Sequence, residues 1–200
     1  MNSIESLERL KQLLGRLPGV GKRSAERMAV AIARNRDGYL NQLKDAILQV
    51  GRDVTSCQWC GSMTGHDANP CRLCTDTRRD DQVLCVVEDP VEIEIIERTG
   101  TYRGRYFALM GKISPVRGET PATLRLKSLW QRIHENRFSE VILALNSDVE
   151  SDATAHYIQE QLKDKTIKIT RLARGIPAGS GLAYADPVTL EAALKHRTEF

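Results

Sequence analysis

The chain has 200 residues, of which 41% are hydrophobic and 28% are charged, and its formal net charge is +3. This length fits one large or two modest domains with a sizeable core, and no apolar run is long enough to span a membrane. No charged-then-apolar leader opens the chain, so a secreted protein is not expected and we predict a cytoplasmic one.

The amino-terminal residues predict two helices joined by a tight turn. Apolar residues recur at helical spacing over residues 3–15, and a second helical run passes through Met28, Ala29 and Ile32. Between them, Pro18 is expected to end the first helix. The glycines at positions 19 and 21 are expected to supply the positive φ and close approach that a tight turn needs.

Basic residues lie beside this turn. Residues 1–56 contain ten Lys or Arg against six Asp or Glu, whereas residues 81–200 contain sixteen against seventeen. The N–H groups that begin the second helix carry a partial positive charge and can hold a phosphate. With Lys22, Arg23 and Arg27 beside them, the arrangement resembles a helix-hairpin-helix motif, which contacts the nucleic-acid backbone without reading bases. The alternative is a glycine-rich turn between two core helices, with solvated basic residues.

Four cysteines follow in two close pairs, Cys57 with Cys60 and Cys71 with Cys74, separated by ten residues. Each pair can hold two thiolates on one side of a turn, and two pairs supply the four sulfur ligands, at roughly 2.3 Å, of tetrahedral Zn²⁺. Such a site is closed to water, so the metal would be structural. The alternative is two disulfides, which a reducing cytosol disfavours, or scattered free thiols. Cys85 lies in an apolar run and is predicted to be a buried strand residue.

The rest of the chain alternates between strands and helices. The predicted strands cover residues 83–87, 106–110, 141–145 and 167–172. Helices are predicted from Asp89 onward and over residues 124–133, 152–162 and 190–195. Buried strands that alternate with helices predict an α/β fold with a mostly parallel sheet and right-handed crossovers. The whole chain is therefore expected to combine an α-helical amino-terminal part, a small four-cysteine finger and this sheet.

Acidic residues follow two of the predicted strands: Glu88 after the first, and Asp148, Glu150 and Asp152 after the third. Ligand groups gather at the carboxyl ends of parallel strands, so these carboxylates could hold Mg²⁺ and assist phosphoryl transfer. The alternative is that the acids cap helices or lie in first turns, and we favour it for Asp89 and Glu92. For the others both interpretations stay open.

Taken in this order, the motifs resemble one family, the bacterial recombination mediators of the RecR type. The resemblance covers nearly the whole chain and includes LPGVGKRSAERMA, CQWCGSMTG, CRLC, CVVEDP, ERTGTYRGRYFALMGKISP, EVILALN and TRLARGIPAG. It implies a helix-hairpin-helix domain at 1–56, a zinc finger at 57–80, a Toprim domain at 81–175, and a carboxy-terminal segment with a Walker-B-like strand and helix at 176–200.

The resemblance also implies a function. Proteins of this family are non-catalytic and form dimeric or tetrameric rings on DNA. With RecO and RecF they load recombinase onto single-stranded DNA. The implied sites are a zinc set (Cys57, Cys60, Cys71, Cys74), a DNA-binding set (Lys22, Arg23, Arg27) and a partner-binding acidic cluster (Glu88, Glu92, Glu150, Asp152). Mg²⁺ is possible but not expected to be catalytic.

The chain departs from the family pattern in segments expected to contact partners. Ser151 and Asp152 stand where Glu-Gly-Glu is more common, residues 116–121 differ from the usual loop, and Ala183 replaces a common glutamate. Two other functions remain open. One is a Mg²⁺-dependent Toprim phosphoryl transferase, a nuclease or primase-like enzyme using Glu88, Glu150 and Asp152. The other is a structural zinc adaptor with incidental DNA contact.

Overall fold

The computed structural model describes residues 3–35 and 38–197. The chain divides into two compact units, residues 1–55 and 56–200. In the described part of the chain, no helix combines the length and the apolar character needed to cross a membrane.

The first unit is helical, as predicted, with α1 (Ser3–Leu14), α2 (Lys22–Arg34) and α3 (Tyr39–Asp53). Helices α1 and α2 pack together. The buried side chains of α2 are Ala25, Ala29 and Ile32, whose spacing of four and three residues puts them on one face. The sequence analysis did not predict α3, which has no buried residue within the described structure.

The second unit begins with a small cysteine-bearing module. It contains β2 (Met63–Gly65), which pairs in a two-stranded sheet with β1 (Val54–Ser56), a short 3-10 helix at His66–Ala68, and the one-turn helix α4 (Arg72–Thr75).

A four-stranded sheet follows, made of β3 (Val83–Val87), β4 (Arg105–Ala108), β5 (Glu140–Leu143) and β6 (Lys168–Arg171). The strand order is β4-β3-β5-β6 and every neighbouring pair is parallel. The predicted α/β class is therefore confirmed. The second and third strands end two residues before their predicted ends. After β4, Met110 adopts a left-handed φ of 64° and ends the extended conformation.

The remaining helices are α5 (Pro90–Arg98), α6 (Leu126–Glu135), α7 (Val149–Leu162) and α8 (Pro187–Lys195). Alternate residues of β3 point to opposite faces of the sheet. Leu84 and Val86 join a core with residues of α6 and α7. Cys85 and Val87 join a second core with Ile93 of α5 and the four paired cysteines. Cys85 is buried, as predicted. The cysteine module and α5 therefore share one face of the sheet.

Candidate metal centre and nucleic-acid interface

The four paired cysteines converge on one point. Their sulfur atoms all lie within 4.8 Å of one another and all four residues are buried. The Sγ–Sγ distance is 3.9 Å between Cys57 and Cys74 and 3.5 Å between Cys60 and Cys71. Both exceed the roughly 2.0 Å of a disulfide. They match the edge of about 3.8 Å that four sulfurs make around a tetrahedral ion at 2.3 Å. The quartet therefore fits a metal such as Zn²⁺ and excludes the disulfide alternative.

Backbone groups orient the sulfurs for a cation. The N–H of Ser62 donates to the sulfur of Cys60 at 3.4 Å, and the N–H of Cys71 donates to the sulfur of Cys57 at 3.3 Å. Hydrogen bonds from Cys60 and the other thiols hold the pKa of Cys57 far below its ordinary value. The hydrogen bond with Cys57, the other thiols and burial raise the pKa of Cys74. Four thiolates can coexist here only if a cation balances their charge.

Two arginines fasten the cysteine loops to the sheet. The guanidinium of Arg105, on β4, donates to the carbonyls of Leu73 and Cys74 at 2.9 and 3.0 Å and to Asp81 at 2.6 Å. The second arginine binds the loop between Cys57 and Cys60. Arg125, at the start of α6, donates to the carbonyls of Gln58 and Ala108.

The first cysteine loop also pairs directly with the edge of the sheet. The N–H of Ala108 donates to the carbonyl of Cys60 at 2.7 Å. Gly61 has a φ of +86°, and a Cβ there would collide with a side-chain nitrogen of Arg125. The positive φ favours glycine at this position, and a larger residue would also have to displace the side chain of Arg125. This docking was not predicted, because the spacing of the cysteines does not indicate which residues hold the loops.

The amino-terminal hairpin exposes its basic residues. Gly19 adopts a φ of +76° in the turn, but Gly21 is extended, with φ −77° and ψ 166°. Only one of the two glycines therefore supplies a positive φ. Helix α1 ends at Leu14, before Pro18, which lies in the turn. Lys22 and Arg23 occupy the first turn of α2.

The first turn of α2 has no side-chain cap, because Gly21 is its N-cap. Lys22, Arg23 and Arg27 are all exposed, and none forms an ion pair within the described residues. Unpartnered N–H groups and exposed cations meet at this helix start, which is the arrangement that binds a phosphate.

In the described structure the acids of the predicted cluster do not converge on one ion site, although Glu88 and Glu92 share the side-chain amide of Asn146. Among the described residues, the cysteines are the only group of three or more His, Cys, Asp or Glu side chains close enough to hold one ion. Glu88 is buried and accepts two hydrogen bonds from Asn146, both at 2.9 Å. Glu92 accepts from the N–H groups of Glu88 and Asp89, which confirms the predicted capping box at α5.

The other two acids of the predicted cluster have cationic partners of their own. Glu150 accepts from Ser114 and, at 2.6 Å, from Arg117, and these contacts lower its pKa. Asp152 is bound by Arg174 and Arg171, which lower its pKa.

The N-cap of α7 is Asp148, so the helix begins at Val149, three residues before its predicted start. A hydrogen bond from Lys112, followed by the N–H of Ser151, lowers the pKa of Asp148 to about 2. Asp148, Glu150 and Asp152 therefore each have a lowered pKa and a local donor or cation as partner.

Three family models match the chain. A RecR helix-hairpin-helix model covers residues 7–50, a Toprim domain model covers residues 82–173, and a RecR carboxy-terminal model covers residues 175–198. The recombination protein RecR of Moorella thermoacetica is 45% identical over 195 residues, which is 98% of this chain and 97% of that protein.

The chain belongs to the RecR family. Further relatives agree across the same length. The recombination protein RecR of an Anaeromyxobacter species is 42% identical over 98% of both chains, and that of Thermobifida fusca is 44% identical over 96% of both. The three family models leave residues 51–81 between the first two matches. That interval contains the cysteine quartet, which this RecR-family chain folds as described above.

Proposed function

We propose that this RecR-family protein is a non-catalytic recombination mediator that binds the DNA backbone through its amino-terminal hairpin. The observation that carries the proposal is the open start of α2, where uncapped N–H groups lie beside exposed Lys22 and Arg23. Arg27 follows one helical turn later. Cations and a helix start bind phosphates without reading bases, so binding is expected to be independent of sequence.

Zinc is the metal we propose for the cysteine quartet, with one ion per chain. The sulfur spacing suits its tetrahedral radius, and four buried sulfurs leave no open position for a substrate. In this proposal the ion does no chemistry. It replaces the hydrophobic core that the short segment of residues 57–80 cannot build.

Assembly and partners complete the proposal. We propose a homo-oligomeric ring, a dimer or tetramer, that encloses DNA in the cytoplasm at the nucleoid and acts with RecO and RecF to load recombinase on single strands. The family supports this proposal. We also propose that the chain has four domains, with boundaries after residues 56, 80 and 175.

The dispersed acids favour partner binding over catalysis. A phosphoryl transferase needs carboxylates that share a metal ion. Glu88, Glu150 and Asp152 instead have separate partners. We propose that Glu92, Glu150 and Asp152 contact basic partner residues, that the buried Glu88 supports this surface through Asn146, and that any bound Mg²⁺ is not catalytic.

The hairpin is tested by replacing Lys22, Arg23 and Arg27 together with alanine. Each phosphate that the protein no longer neutralises is expected to make the slope of log affinity against log salt shallower by about 0.9 on duplex DNA. The slope of the triple variant should therefore be shallower by about 2.7 if every residue binds one phosphate. Affinity, measured by fluorescence anisotropy at several salt concentrations, should fall equally for unrelated sequences.

A matched control removes the same charge elsewhere. Lys163, Lys165 and Lys168 lie around the end of α7 and the start of β6, and their triple alanine variant should change DNA affinity little. If the hairpin variant binds as tightly as the unaltered protein, or no more weakly than this control, the hairpin proposal is wrong.

The acidic surface is tested with purified RecO. The paired changes Glu150→Gln and Asp152→Asn are expected to weaken RecO binding about tenfold at low salt, because they remove charges that attract a basic partner. Arg117→Ala should act in the opposite direction and tighten binding a few fold, because Arg117 competes for Glu150. Calorimetry measures both.

The control for this experiment is Glu160→Gln, a change of an exposed acid later in α7. The proposed role of these acids is wrong if the double variant and Arg117→Ala both bind RecO as tightly as the Glu160→Gln control. Thermal unfolding of each variant shows whether the fold has been kept.

A further inference from the structure

Trp59 is an exposed aromatic side chain held in a rigid place. It lies between two buried metal-site cysteines, Cys57 and Cys60, yet 42% of its surface is exposed. The first cysteine loop fixes its backbone on both sides, because Cys60 pairs with Ala108 of the sheet edge and Gln58 accepts from Arg125. An exposed indole on so constrained a loop loses little conformational freedom on binding a ligand.

The indole contacts the side chain of Arg132, a cation that has no carboxylate partner among the described residues. The guanidinium carbon of Arg132 lies 5.1 Å from the centre of the Trp59 ring, within the range of a cation–π contact. In the described part of the chain Arg132 forms no ion pair. Its buried Nε has no hydrogen-bond partner. The residue as a whole is only partly buried, and a guanidinium that has no carboxylate partner can bind a phosphate.

The surrounding charge is also positive. Arg125 and Arg132 are seven residues apart along α6 and its N-cap, so they lie on the same face of the helix. Arg125 bonds to Gln58, and Arg132 stacks on Trp59. The cysteine loop therefore lies against the helix face that carries these two arginines.

We propose that Trp59 and Arg132 form a binding site for single-stranded DNA, in which an unpaired base stacks on the indole and the neighbouring phosphate binds the guanidinium. Aromatic rings that carry unpaired bases beside cations are how proteins bind single strands without reading sequence. In a duplex the bases are already stacked and paired, so this site selects single strands. It is separate from the hairpin, which contacts backbone phosphates.

Fluorescence reports on the site directly. The chain has two tryptophans, so Trp130→Phe leaves Trp59 as the sole indole. Titration of this variant with an oligothymidylate should quench the emission in a saturable way, because the base stacks on the ring. A duplex of equal length should quench much less. An unquenched Trp59 under conditions where the oligonucleotide is bound would overturn the proposal.

Affinity measurements test the same site without altering Trp130. Trp59→Ala should weaken binding of oligothymidylate about tenfold, whereas Trp59→Phe, which keeps an aromatic face, should retain most of it. Arg132→Ala should make the salt dependence on single strands shallower by about 0.7, the value for one phosphate. Affinity for duplex DNA should stay the same in all three variants.

The matched control is Met63→Ala, which shortens another exposed apolar side chain of the same module, on β2. Metal content, measured by mass spectrometry for every variant, shows that the quartet is intact. Equal affinity of Trp59→Ala and unaltered protein for single strands would refute the site, and would leave a protein partner as the ligand of this surface.

The outcomes separate this site from the hairpin. If the hairpin proposal alone fails, the triple hairpin variant binds normally and Trp59→Ala still loses single-strand affinity. If the stacking site alone fails, the triple variant loses affinity on duplex and single strands, and Trp59→Ala loses nothing.

Discussion

At the scale of single residues, the convergence of the four cysteines could be predicted and the contacts that support it could not. Two Cys-x2-Cys pairs are a spacing typical of a four-sulfur metal site, so the pattern is readable in the sequence. Arg105 is different. Its partners Leu73, Cys74 and Asp81 come from two earlier segments, so only the folded chain shows that this arginine is buried and what it binds.

Arg105 should therefore be a major contributor to stability. We expect Arg105→Met to lower the free energy of unfolding by about 2 kcal/mol, since it leaves the buried carbonyl of Cys74 and the partly buried carbonyl of Leu73 without this donor. Only 6% of this residue is exposed, so water cannot readily take the place of the guanidinium. Urea denaturation followed by circular dichroism measures the change.

Arg103 gives the control for this prediction, because it is an exposed arginine two residues away. Arg103→Met should change the free energy of unfolding by less than about 0.5 kcal/mol. Similar stabilities for the two variants would show that the contacts of Arg105 are not important to the fold.

At the scale of elements, the sequence predicted which strands and helices form more accurately than where they end. All four strands of the main sheet were predicted from their apolar residues. Strands β3 and β4 are almost wholly buried and leave the least ambiguity. The observed boundaries differ from the predicted ones where a helix cap sets the end of the element. Asp148 begins α7 earlier than expected by accepting the N–H of Ser151, and this bond depends on a turn that periodicity does not report.

The acidic residues show where it fails to expect ligand groups to gather at the carboxyl ends of parallel strands. Parallel strands do bring their carboxyl ends to one edge, and Glu88 does lie there after β3. Glu150 and Asp152, however, follow β5 by a loop and lie in the first turn of α7. From there they meet Arg117, and Arg171 and Arg174 at the end of β6. These cations are far away in the sequence, so spacing alone could not assign the pairs.

At the scale of the whole molecule, the chain presents two units of different composition. The helical unit has a third helix with no buried residue, whose exposed apolar side chains include Ile47, Leu48 and Val50. Surface of this kind is costly in water for a lone subunit. It is compatible with the proposed oligomer, whose subunits would cover it.

Native mass spectrometry tests this assembly and the metal together. Each chain has a mass of 22.4 kDa. We expect a dimer or a tetramer, with two or four times that mass and one zinc ion per chain. Chelation should remove the metal and lower the number of subunits or unfold the module. A persistent monomer, with or without DNA, would rule out a ring.

The bond between the cysteine loop and β4 has one more consequence. Strand β4 is an outer strand of the sheet, and its Ala108 N–H is covered by Cys60. An uncovered outer strand is a template for pairing with another chain. A metal ion that held this loop in shape would therefore also keep part of a strand edge covered. Oxidation of the cysteine sulfurs would then affect the sheet as well as the metal site, because it would expose an outer strand to pairing with another chain.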